Sequence, residues 1–405
     1  MPRSLQMRID SMRYDVIIIG GGPTGLACAI SLARDGREVC IVERSPLETL
    51  ISPPFDGREI ALTHHAVQWL KEAGAWEHIP ADAVCPMYTA RVETGRHSSL
   101  PLIFDAPKDG PDALGYMVAN HHIRQSLYTI ASNSPRIAIR AGVAIERAEH
   151  TVSAACVVLK GGEALSADLL VAADGRFSKM RETAGIGAII DDFKRRIMVC
   201  RVRHPKSHEN IALQWFDAGQ TIAFLPILSD GEDGSISSLV LTLEEAEIER
   251  LCSLDEQAFN AEITQRSGGR LGELALASPR CSYPLKTVFA HRFKAPRLAL
   301  IGDAAVGMHP ITAHGFNLGL KGQETLARAI ADGPKDAGAP SSLARYERQH
   351  RRATLPLYAG TNAIATLYTR DSTPAMAVRR LGLGLADRLI PFKKAITGML
   401  MDQGH

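Results

Sequence analysis

The chain reads as an α/β protein: a Rossmann-like domain, an interleaved domain built on a mixed or antiparallel sheet, and C-terminal helices. Three observations predict this. A β-branched run, Tyr14-Asp15-Val-Ile-Ile-Ile19, leads into a glycine-rich turn and a helix of small residues. From Arg195 to Leu243 apolar and polar residues alternate, as in half-buried strands. After Ser341 the spacing becomes helical. At 405 residues the chain is long enough for one large domain or two intertwined ones.

The first run is continuously apolar, the mark of a strand covered on both faces. It ends in GGGPTG, where Gly20, Gly22 and Gly25 satisfy G-x-G-x-x-G and enclose Pro23 and Thr24. Gly20 makes the tight turn, Gly22 lets the backbone approach a pyrophosphate, and Gly25 lets helix pack on strand. The N-terminus of the following helix, Leu26–Ala33, favours phosphate charge. Gly36 ends that helix and Glu38-Val-Cys-Ile-Val-Glu43 forms a second strand. Glu43, eighteen residues past Gly25, is placed to accept from a ribose hydroxyl, and Arg44 beside it joins the candidate set. Strand, turn, helix, strand and acid in this order specify a Rossmann-like dinucleotide site. The acid fits FAD or NAD and argues against a 2′-phosphate.

Composition narrows the class. Hydrophobic residues at 45% and charged residues at 22% are those of a globular protein, and a net charge of +2 gives no field for nucleic acid. The seven cysteines (Cys28, Cys40, Cys85, Cys156, Cys200, Cys252, Cys281) lack CxxC or metal-ligand spacing, so no metal site is expected. With no signal-peptide core in MPRSLQMRIDSMRYD, they read as reduced and intracellular, and the N-terminus as an extension. No window of about eighteen uncharged apolar residues is present to span a membrane.

Two later stretches complete the pattern. Asp168–Arg181 reads as strand, Asp174-Gly175 turn and helix; GDAAVGMHPITAHGFNLGL, Gly302–Leu320, follows the apolar run RLALI. With GGGPTG these resemble the three motifs of single-component flavoprotein monooxygenases related to p-hydroxybenzoate hydroxylase. DGREIALTHHAVQWLKEAGAW (Asp56–Trp76), GYMVANHHIRQSLY (Gly115–Tyr128) and HPITAHGFNLGLKG (His309–Gly322) are more similar to the ubiquinone-biosynthesis hydroxylases of the UbiH/UbiF/UbiM type. The likeness runs from Tyr14 to about Leu400, and Val306 with Gly307 is most similar to the UbiM subgroup.

The resemblance implies FAD as cofactor, O2 as cosubstrate and NAD(P)H or another reductant as transient electron donor. It implies that Asp303 hydrogen-bonds the flavin ribitol; an N-cap would also use Asp there but leaves the flanking pattern unexplained. Pro310 is expected beside the isoalloxazine. Gly315, Phe316 and Asn317 are expected to begin a helix whose N–H groups face the flavin edge that carries negative charge on reduction. His309 is read as a structural histidine or a substrate contact, and forms the catalytic candidates with Pro310 and Arg58. Arg58 would approach the flavin ring or substrate pocket, and Arg124 the cofactor phosphates or ribose; a surface or ion-paired arginine is the alternative at both. Asp174 would contact the cofactor while Arg181 braces the turn. His314 and Lys321 depart from the Gln and acid common in relatives.

The expected FAD-binding domain is discontinuous, residues 14–80, 110–185 and 285–335, with residues 81–109 and 186–284 forming the substrate domain. An acidic helix is expected over Leu243–Leu251. Residues 340–405 form a helical region in which Val378, Leu381, Leu385, Leu389, Phe392, Ile396 and Met399 make one stripe, with Arg379, Arg380, Lys393 and Lys394 around it and Pro391 as a break. That stripe suits a helix lying on an anionic membrane or one docked on the core. The resemblance implies a monooxygenase acting through a flavin C4a-hydroperoxide on a polyprenylated phenol of ubiquinone biosynthesis, such as 5-demethoxyubiquinol, at one or more ring positions. It implies peripheral contact with the inner face of the cytoplasmic membrane and biosynthetic-complex partners. A soluble-phenol hydroxylase, a polyprenyl reductase and a non-catalytic prenyl-binding protein stay open on the same fold.

Overall fold

The structure is a computed structural model that describes residues 12–95, 101–107, 110–217, 219–228, 234–310 and 315–369. The N-terminal extension, His314 and the Val378–Met399 stripe lie outside the described residues. Along the chain run β1 (Met12–Ile19), α1 (Pro23–Arg34), β2 (Val39–Val42), α2 (Asn120–Ser132), β3 (Ile137–Arg140) and β4 (Ala164–Ala172). Then follow β5 (Ala188–His204), β6 (Ile211–Asp217), β7 (Gln220–Ile227), β8 (Ser235–Glu244), β9 (Cys281–Ala290), β10 (Leu298–Leu300), α3 (Gly315–Ala331) and α4 (Pro340–Thr369).

The first sheet carries the parallel order β3-β2-β1-β4-β10. β1 takes the centre because Val16 to Ile19 offer no polar face to water, and all four are buried. α1 lies close on it with a face of Gly25, Ala27, Cys28 and Ala29, small enough for near approach. The second sheet is mixed. Residues 306–307, β9, β5, β8, β7 and β6 pair antiparallel in that order; Thr89–Thr94 adds to β6 in parallel and Leu102–Asp105 closes the edge. Alternation along β5 divides its faces. Met198, Cys200 and Val202 pack under the helices Glu245–Ser253 and Glu256–Arg266, while Ile197 and Val199 turn the other way with Leu285. The second of those helices was not foreseen.

The domains are more tightly laced than the sequence suggested. β9 runs through the boundary expected at 284–285, and Val306–Gly307 pairs with its Val288 and Phe289. Val84–Met87, expected in the substrate domain, instead pairs with Gly115–Ala119 in a three-stranded sheet with Glu59–Leu62. α4 closes the molecule: the buried Tyr346 hydroxyl donates to the Leu300 carbonyl at 2.5 Å. Further along, Asn362 donates to Asp191 on β5 at 2.8 Å. Among the described residues no helix is long and apolar enough to cross a membrane.

Candidate active site

The carboxyl ends of β1, β2, β4 and β10 converge at one edge of the parallel sheet, where open α/β sheets hold ligands. Gly20 adopts φ +112°, and a Cβ there would lie 2.4 Å from the Ala173 carbonyl oxygen. A Cβ on Gly25 would lie 2.0 Å from the Gly20 carbonyl oxygen, whereas one on Gly22 would meet only open space. Gly22 caps α1 without a side-chain hydrogen bond and Pro23 opens the helix, so the first-turn N–H groups face outward uncommitted. Glu43 accepts from Gly21 N at 2.6 Å and from Ser45 N at 2.8 Å, which pins its carboxylate against the glycine turn. Arg44 stands exposed beside it. Thr24 wedges its side chain between Gly302 and Gly319, joining the first motif to the third.

The Asp174 turn supplies the next wall. Asp174 Oδ2 accepts from Met180 N at 3.1 Å, while its buried Oδ1 has no hydrogen-bond partner among the described residues. Arg181 is buried and donates to the Ala304 carbonyl at 3.0 Å, bracing the turn against the third motif. Asp303 is not an N-cap: its Oδ2 accepts from Arg176 Nε at 3.2 Å and Nη2 at 2.9 Å. Arg176 was not singled out by sequence reasoning, because its partner lies 127 residues away and nothing local marks the pair.

His309 is buried, with its ring edge-on to Phe193 at 5.0 Å. Burial, with the Arg176 charge nearby, pushes its imidazole down to about 4, so it is neutral near pH 7. Pro310 is exposed next to it. Gly315 and Phe316 open α3; the Asn317 amide donates to the Ala61 carbonyl at 2.8 Å and accepts from Thr63 N at 3.2 Å. The Asn317 side chain therefore staples α3 to the Glu59–Leu62 strand, and only its backbone faces the helix start.

The Phe55–Arg58 loop forms the opposite wall. Arg58 pairs with Asp56 at 2.5 Å and lies over the Tyr283 ring at 5.7 Å, so it is an ion-paired arginine with half its side chain exposed. Tyr283 donates to the Asp56 carbonyl at 2.7 Å, and Asn120 donates to the Asp56 carboxylate at 2.7 Å. Burial raises the Asp56 carboxyl, but the hydrogen bonds from Arg58 and Asn120 outweigh it and hold it below the usual range. Gly57 fits against Val199 and Cys281 of the second sheet. Arg201 of β5 pairs with the buried Glu59 at 2.7 Å. Arg124, on α2, is lowered by burial and feels Asp56, Arg58 and Glu43. Asp56, Asn120, Tyr283 and Arg201 were missed; only the Asp56-x-Arg58 spacing could have signalled one of them.

These features fit a flavin dinucleotide. The open glycine turn and uncapped helix start suit a pyrophosphate, Glu43 suits a ribose, and the partnerless Asp174 oxygen awaits a donor. The comparisons agree. A profile of the family described as "FAD binding domain" matches residues 13–356. Ubiquinone hydroxylase UbiM of Neisseria meningitidis is 38% identical over 397 residues, covering 96% of this chain and 85% of that protein. The 3-demethoxyubiquinol 3-hydroxylase of Escherichia coli is 28% identical over 381 residues, 92% of this chain and 95% of that protein. Among solved structures, p-nitrophenol 4-monooxygenase PnpA from Pseudomonas putida shares the fold, with a TM-score of 0.74 at 19% identity over 96% of this chain and 98% of that one. The chain belongs to the FAD-binding-domain family of monooxygenases and, within it, to the ubiquinone hydroxylases.

Proposed function

We propose that the protein is an FAD-dependent monooxygenase that hydroxylates the ring of a polyprenylated phenol or quinol on the way to ubiquinone. The observation that carries this is a dinucleotide seat tied to a second sheet through Arg176 and the Gly57 loop, in a chain 38% identical to a ubiquinone hydroxylase. When bound, FAD supplies the activation of dioxygen, and NAD(P)H or another reductant supplies the electrons.

The residues have positional work. Glu43 accepts from the ribose, the α1 start holds the diphosphate, and Arg124 adds charge at phosphate or ribose. Asp174 contacts the cofactor and Asp303 holds the ribitol hydroxyls. The N–H groups at Gly315, Phe316 and Asn317 stabilise negative charge at the flavin's pyrimidine edge. Pro310 and His309 border the place where the ring approaches, and His309 serves there uncharged. Arg58 borders the same space. Ile197 and Val199 help keep water away. A polyprenyl tail partitions into a bilayer, so the substrate reading carries with it contact with the inner face of the cytoplasmic membrane and with enzymes of the same route.

The test is turnover of the purified flavoprotein with NADH and a short-tailed 5-demethoxyubiquinol under 18O2. The expected product gains one labelled oxygen on the ring. A yellow protein that consumes no oxygen with prenylated phenols but does with soluble ones overturns the substrate. A yellow protein that consumes oxygen with neither overturns hydroxylation, and a colourless one that still binds prenylated quinols points to a binding protein.

A further inference from the structure

We propose that Arg176 is the positioning residue of the flavin seat: it sets the Asp303 carboxylate and ties the seat to the substrate sheet, and position 307 is glycine to leave it room.

Asp303 follows a strand end and is partly exposed, so on its own its carboxylate would sample several rotamers. Arg176 removes that freedom. Both of its bonds to Asp303 end on Oδ2, which leaves Oδ1 its lone pairs for a ligand hydroxyl. The same guanidinium donates through Nη1 to the Lys286 carbonyl on β9 at 2.5 Å and through Nη2 to the Met308 carbonyl at 3.3 Å. One planar fork thus joins the Asp174 turn, the Asp303 turn and the substrate sheet; a lysine, with a single ammonium centre, could not satisfy all three directions. The Arg176 backbone is fixed in turn, since its carbonyl accepts from Arg181 Nη2 at 3.2 Å.

Gly307 makes the case independently. Its φ lies outside the left-handed region, so its backbone would suit any residue. Yet a Cβ there would lie 2.8 Å from Arg176 Nε, 3.3 Å from Cγ and 3.4 Å from Cδ. Gly307 also pairs with Val288 of β9, so it cannot back away without breaking that register. The glycine is required by the arginine that crosses it.

The proposal rests on the seat holding FAD, and the test separates the two. FAD dissociation constants are measured by flavin fluorescence on apoprotein for wild type, Arg176→Ala, Asp303→Ala, the double variant of these two, Arg176→Lys, Gly307→Ala and Gly307→Ala combined with Arg176→Ala, with circular dichroism to confirm folding. Arg176→Ala and Asp303→Ala are each expected to weaken binding about tenfold or more, since each removes a charged hydrogen bond. The double variant should be no weaker than the worse single, because the arginine acts through the aspartate. Arg176→Lys should recover only part of the loss. Gly307→Ala should weaken FAD in the wild-type background and have no effect where Arg176 is already Ala. Losses that multiply in the double variant, or a Gly307→Ala protein that binds FAD normally, would overturn the proposal. If Arg176→Ala does not fold, the same cycle runs with Arg176→Gln and Asp303→Asn. A folded wild-type apoprotein that binds no FAD would overturn the flavin reading itself.

Discussion

At Glu43 both carboxylate oxygens are already engaged by backbone N–H groups, at 2.6 and 2.8 Å, before any ligand arrives. The acid therefore holds the glycine turn, and the ribose contact proposed for it would share those oxygens. Glu43→Gln keeps the shape but replaces one acceptor by an NH2 that faces a backbone N–H. Each spoiled charge-assisted bond is worth about 1.5–3 kcal/mol. FAD affinity is accordingly expected to fall about ten- to hundredfold in a fluorescence titration. Unchanged affinity would mean that the ribose is held elsewhere. The sequence disclosed Glu43 because its meaning depends on a spacing of eighteen residues within one β-α-β unit. Arg176 stayed hidden because an arginine is defined by what it reaches, and its three targets lie in two other segments.

Among the elements, the contact between α1 and α3 is set by Thr24 lying in a cleft lined by Gly302 and Gly319. Gly319→Ala sets two effects against each other. Alanine in a helix interior gains about 1 kcal/mol over glycine. Its Cβ, however, would lie 2.6 Å from Thr24 Oγ1, an overlap whose relief costs about 1–3 kcal/mol. Sterics win, so Gly319→Ala should lower stability in urea by about 1 kcal/mol and weaken FAD, and Thr24→Ala, which removes the overlapping Oγ1, should restore part of both. A stabilised Gly319→Ala variant would show that α3 can shift. The parallel sheet was legible because its strands are continuous apolar runs, and the β5 to β8 meander because it alternates. The three-stranded sheet of Glu59–Leu62, Val84–Met87 and Gly115–Ala119 was not legible, since such short strands carry too few residues for a period to emerge.

Across the whole molecule, burial lowers several imidazoles, among them His121, which is pushed down to about 4, and His122, His204 and His208. His309 beside the seat and His350, packed against Tyr346 and Phe293, are both pushed down to about 4 by burial. The unfolded chain binds these protons near pH 6.5, so between pH 6.5 and 4 it holds more protons than the folded one. This stabilisation is complete above about pH 6.5 and drains as pH falls toward 4, by about 1.4 kcal/mol per unit for each group. The lowered Asp56 carboxyl acts in the same direction. Urea midpoints of the apoprotein at pH 7 and pH 5 should differ, the lower pH being the less stable; equal midpoints would mean that these imidazoles titrate normally. The proposed flavin seat, finally, is gathered from Gly20, Asp174, Asp303 and Gly319, so its pieces span three-quarters of the chain. A ribosome delivers β1 and α1 long before α3, and through most of translation the glycine turn has no opposite wall. Flavin can thus act only as a late seal, and a cell short of riboflavin would accumulate finished but unsealed chains, the form most open to proteases.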